Sequence, residues 1–199
     1  MEKIIVGLTG ASGGIYFLRL MEQLAGRGLT LHVIATAHGE QVLQYETGVR
    51  LGDQIGQWNA AGERIVLEDN GNLFSSVASG SYRCDAMVVL PCSMSTAGEL
   101  AGGITKTLLT RAADVMLKEQ RKLLLVPRET PLSSIHLKNL YTLSKAGATI
   151  LPAMPGFYSH PATMLELVDF VVGKALDNLG LASNCYKRWE GYKNDENKN

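Results

Sequence analysis

The sequence predicts an α/β protein: an open, three-layer parallel sheet in a single domain. Three observations lead there. Short strand-like runs recur with helical patterns between them, the order expected of right-handed crossovers. The runs are continuously apolar and rich in Val, Ile and Leu, which suits parallel strands buried on both faces. At 199 residues the chain can bury one sizeable core, and its length asks for no second domain.

KIIVGLT at 3–9 reads as the first strand, followed by a glycine-rich turn and an amphipathic helix over 14–27. LTLHVIAT at 29–36 is the second strand, with a helix over 37–46, and ERIVLE at 63–68 is the third. AMVVLP at 86–91 leads into helical patterns at 94–101 and 105–120. KLLLVP at 122–127 precedes a helix at 134–147, and ATILP at 148–152 precedes a last helix at 162–180. The domain is expected to span 1–185. Residues 186–199 form a C-terminal segment that carries Trp189 and a polar, frayed end, YKNDENKN at 192–199.

Nineteen basic and nineteen acidic side chains leave a formal net charge of zero, which argues against a nucleic-acid or anionic-membrane binder. No apolar stretch approaches the roughly 20 residues of a membrane span. The opening MEKIIVGLTG lacks the pattern of a signal peptide. Cys84, Cys92 and Cys185 show no CxxC spacing, and the four histidines no HxxxH or HExxH. No metal site or disulfide framework is expected, and a reducing cytoplasm fits.

Open α/β sheets bind ligands beyond the carboxyl ends of their strands, where the strand order reverses. The residues placed there are Gly10, Ala11, Ser12 and Gly13, then Thr36, then CSMST at 92–96, then Arg128 and Glu129, and finally PAMPGFY ending at Tyr158. Small hydroxyls, backbone amides, an arginine, a carboxylate and a phenol on one rim suit a phosphorylated ligand at helix N-termini. Each alone is weak, since Ser and Thr after a strand are commonly plain helix caps.

Three fragments imitate a short-chain dehydrogenase: TGASGGIY, NAAG at 59–62, and Tyr141 with Lys145. The turn has Tyr16 where that motif needs its last glycine, and NAAG follows GDQIGQW, which is no strand. No GxxxxGK[ST] occurs either.

Within 106–120, Arg111 and Lys118 lie seven apart and so point the same way, with Asp114 between them. Leu108, Leu109, Ala112, Ala113, Val115, Met116 and Leu117 make the rest apolar. Such a stripe meets another subunit or an anionic ligand, or else faces solvent with Asp114 paired to Lys118. Glu46 ends the helix HGEQVLQYE, where the dipole disfavours a carboxylate, and so is a functional candidate.

TGASG, ETGV at 46–49, ASGS at 78–81, PCSMST at 91–96, TRAADVMLKE at 110–119, VPRETPLSSIHLKN at 126–139, PGFY at 155–158 and RW at 188–189 occur in order. Together they resemble the UbiX-like flavin prenyltransferases over about residues 3–190. The resemblance implies a flavodoxin-like, metal-independent enzyme that joins a dimethylallyl group from dimethylallyl monophosphate to N5 and C6 of reduced FMN. The product, prenylated FMN, would serve a UbiD-like decarboxylase. The resemblance also implies a homododecamer with active sites between subunits.

By position, Gly10, Ala11, Ser12, Thr36, Ser93, Met94, Ser95, Thr96 and Arg128 would hold FMN. Ser79, Arg111, Lys118, Arg128, Tyr158 and Lys174 would hold the allylic phosphate. Ser12, Glu46, Glu129, Lys118 and Trp189 would be catalytic, the acids and Ser12 moving protons and Trp189 facing the five-carbon fragment. Thr36 and Lys174 stand where relatives can have serine and arginine. Two other readings stay open. One is a flavin-dependent cysteine decarboxylase, although PCSMST replaces the PASANT-like loop and no PxMNxxMW occurs. The other is a flavin carrier without catalysis.

Overall fold

The computed structural model describes residues 1–191, so the expected frayed end at 192–199 lies outside the described residues. Six strands form one sheet: β1 (Lys3–Leu8), β2 (Thr30–Ala35), β3 (Arg64–Glu68), β4 (Ala86–Cys92), β5 (Lys122–Pro127) and β6 (Thr149–Ile150). Every pairing is parallel. The spatial order is β3-β2-β1-β4-β5-β6, a doubly wound sheet whose order has the Rossmann form. Its direction of winding reverses between β1 and β4. The helices are α1 (Gly14–Leu24), α2 (Ala37–Thr47), α3 (Leu51–Ala60), α4 (Met94–Ala101), α5 (Leu108–Lys118), α6 (Ser134–Lys145) and α7 (Met164–Leu179).

Side chains alternate across each strand, so the sheet feeds two cores. Ile4, Val6, Leu8, Val88, Leu90, Leu124 and Val126 join α1, α3 and α7 in the first. Ile5, Met87, Val89, Leu123 and Leu125 join α4, α5 and α6 in the second. Both faces being covered explains the unbroken apolar runs of the central strands.

Two elements depart from the expected pattern. Helix α3 occupies a stretch that the pattern left without an element. Its apolar face is Leu51, Ile55 and Trp58 at helical spacing, and Gly52 and Gly56 dilute the signal. The strand expected at 148–152 pairs over two residues, because Pro152 has no N–H for the ladder. Leu151 and Ala153 still donate to Leu125 and Pro127 carbonyls at 2.9 and 3.0 Å.

Thr36, Ser93, Thr107, Ser133 and Thr163 cap α2, α4, α5, α6 and α7 through their hydroxyls. No side-chain cap precedes α1, whose flanking residue is Gly13 at φ 119°. That backbone region favours glycine.

Candidate active site

At the reversal point the turn after β1 meets the loop after β4. Thr9 fastens them: its hydroxyl donates to the Pro91 carbonyl at 2.8 Å and accepts from Ser93 N–H at 2.7 Å. Thr9 was not among the expected site residues; as the last residue of a strand run it gave no signal of this role. Next to it the uncapped N-terminus of α1 is served from a distance in sequence. Glu46 Oε2 accepts from the amides of Gly13 and Gly14 at 2.9 and 2.8 Å.

The misplaced charge of Glu46 is thereby explained. It ends α2 against the dipole of its own helix but sits at the positive end of α1. Gly14 permits the approach, since a Cβ there would lie 3.1 Å from Leu43 Cα. Partial burial pushes the Glu46 pKa up, but the Ser12 hydroxyl, the two glycine amides and the nearby Arg128 charge outweigh it and hold the carboxyl below its ordinary value. Tyr16 also lies in the field of Arg128; burial raises its phenol, and the arginine only partly offsets this.

The same rim carries the remaining expected cofactor residues. Thr36 Oγ1 accepts from Gly39 N–H at 3.0 Å, and Ser93 Oγ accepts from Thr96 N–H at 3.2 Å while contacting Thr96 Oγ1 at 3.0 Å. Met94 is buried in the second core, so its backbone amide is what it can offer a ligand. Ser95 and Arg128 are exposed. With the first amides of α1 engaged by Glu46, an anion is left to the N-terminus of α4, to Ser95 and to Arg128. Gly10 keeps the turn low against α2, where a Cβ would lie 2.7 Å from His38 Cβ. A turn without side-chain bulk, hydroxyls at helix N-termini and the exposed Arg128 guanidinium fit a flavin mononucleotide. Glu129, partly buried, accepts from Thr130 N–H at 3.1 Å.

The expected phosphate ligands do not converge within one chain. Ser79, Arg111 and Lys118 are one group: Arg111 Nε donates to the Ala78 carbonyl at 3.1 Å, and Lys118 borders Gly80. Lys118 ends α5 four residues before β5 begins, and Ser79 precedes β4, so both lie toward the amino ends of the strands. Arg128 and Gly10 lie at the carboxyl ends, about 20 Å away along a six-residue strand. Tyr158, Lys174 and Trp189 form a second group on the other side of the sheet, with α7. Helices in parallel sheets return antiparallel to the strands, and that connectivity separates Lys118 from the rim of its own chain.

The charged stripe of α5 is partly exposed and internally paired. Arg111 meets Asp114 at 3.1 Å, and Lys118 meets Glu119 at 2.6 Å. The alternative pairing of Asp114 with Lys118 does not form. In the second group the rings of Tyr158 and Trp189 meet edge to face at 5.6 Å, and Tyr158 meets Phe170 at 5.9 Å. Tyr158, Lys187, Arg188 and Trp189 line a cavity of about 350 Å³. Among the described residues no group of three His, Cys, Asp or Glu side chains could hold a metal ion, and no helix is long and apolar enough to cross a membrane.

Comparison with known proteins adds four findings. The family model described as Flavoprotein matches residues 1–176. A flavin prenyltransferase UbiX of Halalkalibacterium halodurans is 47% identical over 188 residues, covering 92% of this chain and 91% of the relative. The crystal structure of AnUbiX (PadA1) with FMN and dimethylallyl pyrophosphate superposes with a TM-score of 0.89 at 35% identity, covering 96% of this chain and 99% of that one. A dodecameric FMN-dependent UbiX-like decarboxylase from Escherichia coli O157:H7 gives 0.88 at 38% identity, covering 95% and 100%.

Proposed function

The chain belongs to the flavoprotein family and, within it, to the UbiX-type flavin prenyltransferases, and we propose that it joins the dimethylallyl group of dimethylallyl monophosphate to N5 and C6 of reduced FMN. It is a prenyltransferase that takes FMN. The observation that carries the finer reading is the carboxylate of Glu46, held at the turn after β1 beside Ser12 and within the field of Arg128.

Reduced FMN supplies the nucleophilic nitrogen and the neighbouring aromatic carbon. The protein has four tasks around it. Gly10, Ala11, Ser12, Thr36, Arg128 and the Ser93–Thr96 segment hold FMN, with Met94 contributing its backbone. Cations and donors take up the charge that develops on the phosphate as the allylic C–O bond breaks. Arg111, Lys118, Arg128, Lys174, Ser79 and Tyr158 fill that role. Trp189 presents its face to the cationic five-carbon fragment and excludes water. Glu46, with Ser12 and Glu129, receives and passes on the proton lost when the second bond forms. The Ser12 hydroxyl and the two glycine amides hold the Glu46 carboxyl below its ordinary value, which favours its ionised form.

Because Lys118 cannot reach the rim of its own chain, the site is completed between subunits. A homo-oligomer, a dodecamer as in the E. coli relative, supplies the α5 face from one copy to the rim of another. Residues 1–185 form the flavin-binding domain, and the segment from 186 brings Trp189 to it. The prenylated flavin passes to a UbiD-like decarboxylase.

The decisive test is anaerobic. The protein is mixed with chemically reduced FMN and dimethylallyl monophosphate, precipitated, and the released flavin weighed by mass spectrometry. Catalytic formation of a flavin heavier by one C5H8 unit is expected. Unmodified FMN from protein that binds it would overturn the proposal.

A further inference from the structure

The C-terminal strap that carries Trp189 is fastened at one point. Asp177 lies on the exposed side of α7, where its carboxylate gathers three donors. Arg188 approaches in a two-pronged arrangement, Nη2 to Oδ1 at 2.6 Å and Nη1 to Oδ2 at 2.8 Å. The Tyr186 hydroxyl donates to Oδ2 at 2.6 Å. The Arg188 guanidinium stacks over the Tyr186 ring at 5.0 Å and donates to the Ser183 carbonyl at 3.1 Å. The next residue is Trp189, edge to face with Tyr158.

The seat beneath the strap is shaped for it. Tyr186 lies over Gly173, where any Cβ would overlap the phenol ring, and packs edge to face on Phe170 at 5.5 Å. Phe170, Gly173, Lys174 and Asp177 fall at i, i+3, i+4 and i+7, one stripe of α7. The strap therefore lies along the stripe of α7 that carries Lys174, which itself stays exposed.

We propose that Asp177 is a positioning residue for prenyl transfer: by binding Tyr186 and Arg188 it fixes Trp189 against Tyr158, so the aromatic wall of the donor pocket is held by α7 before any ligand arrives. This rests on the donor pocket proposed above. The phenol can sustain its role, since burial and then the Asp177 carboxylate push it up to about 12, leaving it a hydrogen-bond donor at neutral pH. Arg188 in turn keeps the Asp177 carboxyl below its ordinary range, with Tyr186 and Lys174 adding to the effect.

Two variants break the fastening by different routes. Asp177→Asn removes the charge that both prongs of Arg188 seek, whereas Gly173→Ala displaces the Tyr186 ring and leaves every charge in place. The first readout is acrylamide quenching of Trp189 fluorescence in a Trp58→Phe background, or, should that background not fold, the difference between the native chain and Trp189→Phe. Quenching is expected to rise in both variants and to return toward native in Asp177→Glu. The second readout is steady-state kinetics: KM for dimethylallyl monophosphate rises about tenfold with the FMN dissociation constant unchanged. Trp189 is 61% exposed in the native chain, and quenching no greater in either variant than there would overturn the fastening. Increased quenching with unaltered KM would overturn its role in donor binding. Failure of the native chain to prenylate FMN would overturn the function and leave quenching to decide the fastening.

Discussion

Replacing Glu46 with glutamine tests the centre of the site. The carboxylate accepts two backbone N–H bonds, at 2.9 and 2.8 Å, from the start of an otherwise uncapped helix. Glutamine keeps one acceptor oxygen, so what is lost is the charge assistance. Hydrogen bonds to an ion are roughly 1 kcal/mol stronger than neutral ones, and an anion at an exposed helix N-terminus adds about 0.3–1 kcal/mol. Glu46 is exposed, and solvent screening reduces both contributions. A net loss of about 1 kcal/mol is expected, which lowers Tm by about 2–4 °C in a domain of this size.

The pH dependence has a definite sign. A carboxyl whose folded pKa is depressed stabilises the protein above its unfolded value, near 4.3, and that contribution fades as pH falls through the folded pKa. Native and Glu46→Gln melting temperatures should therefore differ at neutral pH and converge in acid. In anaerobic single turnovers with saturating reduced FMN, prenyl transfer should slow by about 10²–10⁴, the usual contribution of a positioned proton-transfer group. FMN binding should not change. An unchanged single-turnover rate would refute the proton-transfer role, and a melting difference that persists undiminished in acid would refute the electrostatic account.

Lys118→Ala should raise KM for dimethylallyl monophosphate roughly tenfold to a hundredfold, as expected for one lost charged contact to phosphate, without weakening FMN binding; an unaltered dependence of rate on donor concentration would contradict it. Lys118→Ala and Glu46→Gln chains, each impaired alone, should complement when co-assembled in equal amounts, with about a quarter of sites receiving both intact groups. No recovery in mixed oligomers would mean that both groups act from one chain. Arg19→Ala removes the bonds at 2.6 and 3.2 Å that neutralise Asp169, itself 8% exposed. The pair is not fully enclosed, so the cost should be about 2 kcal/mol rather than the 3–5 of a sealed one, a Tm drop of about 4–8 °C by calorimetry.

Periodicity revealed the five longer strands and six of the seven helices among the described residues, because strands sealed on both faces must be apolar throughout and helices sealed on one face must repeat at helical spacing. Helix α3 escaped because Gly52 and Gly56 thin its stripe to three residues. The strand ends and helix starts were legible in the same way, and with them the rim of Gly10, Thr36, Ser93 and Arg128. Glu46 stood out only as a carboxylate at the wrong end of its helix. What it compensates, the bare N-terminus of α1, lies 32 residues away in sequence.

The strap shows a further limit of local reading. Asp177 and Arg188 are an ordinary acid and base until the chain reverses after α7 and sets one upon the other. Gly173 looks like a weakness in a helix, yet it is the gap into which Tyr186 fits.

Local pattern by itself determined the fold class, the rim and the types of group available there, since burial and backbone capping act over a few residues and leave their mark in composition and spacing. The tertiary structure alone decided which of those groups can meet. Three-dimensional winding brings Glu46 to α1 and Trp189 to Tyr158, and it carries Lys118 to the far end of the strands, because each helix must return antiparallel to the strand it follows. A residue's chemical type travels with the sequence; its partner is a matter of distance, and distance is set by the path of the whole chain.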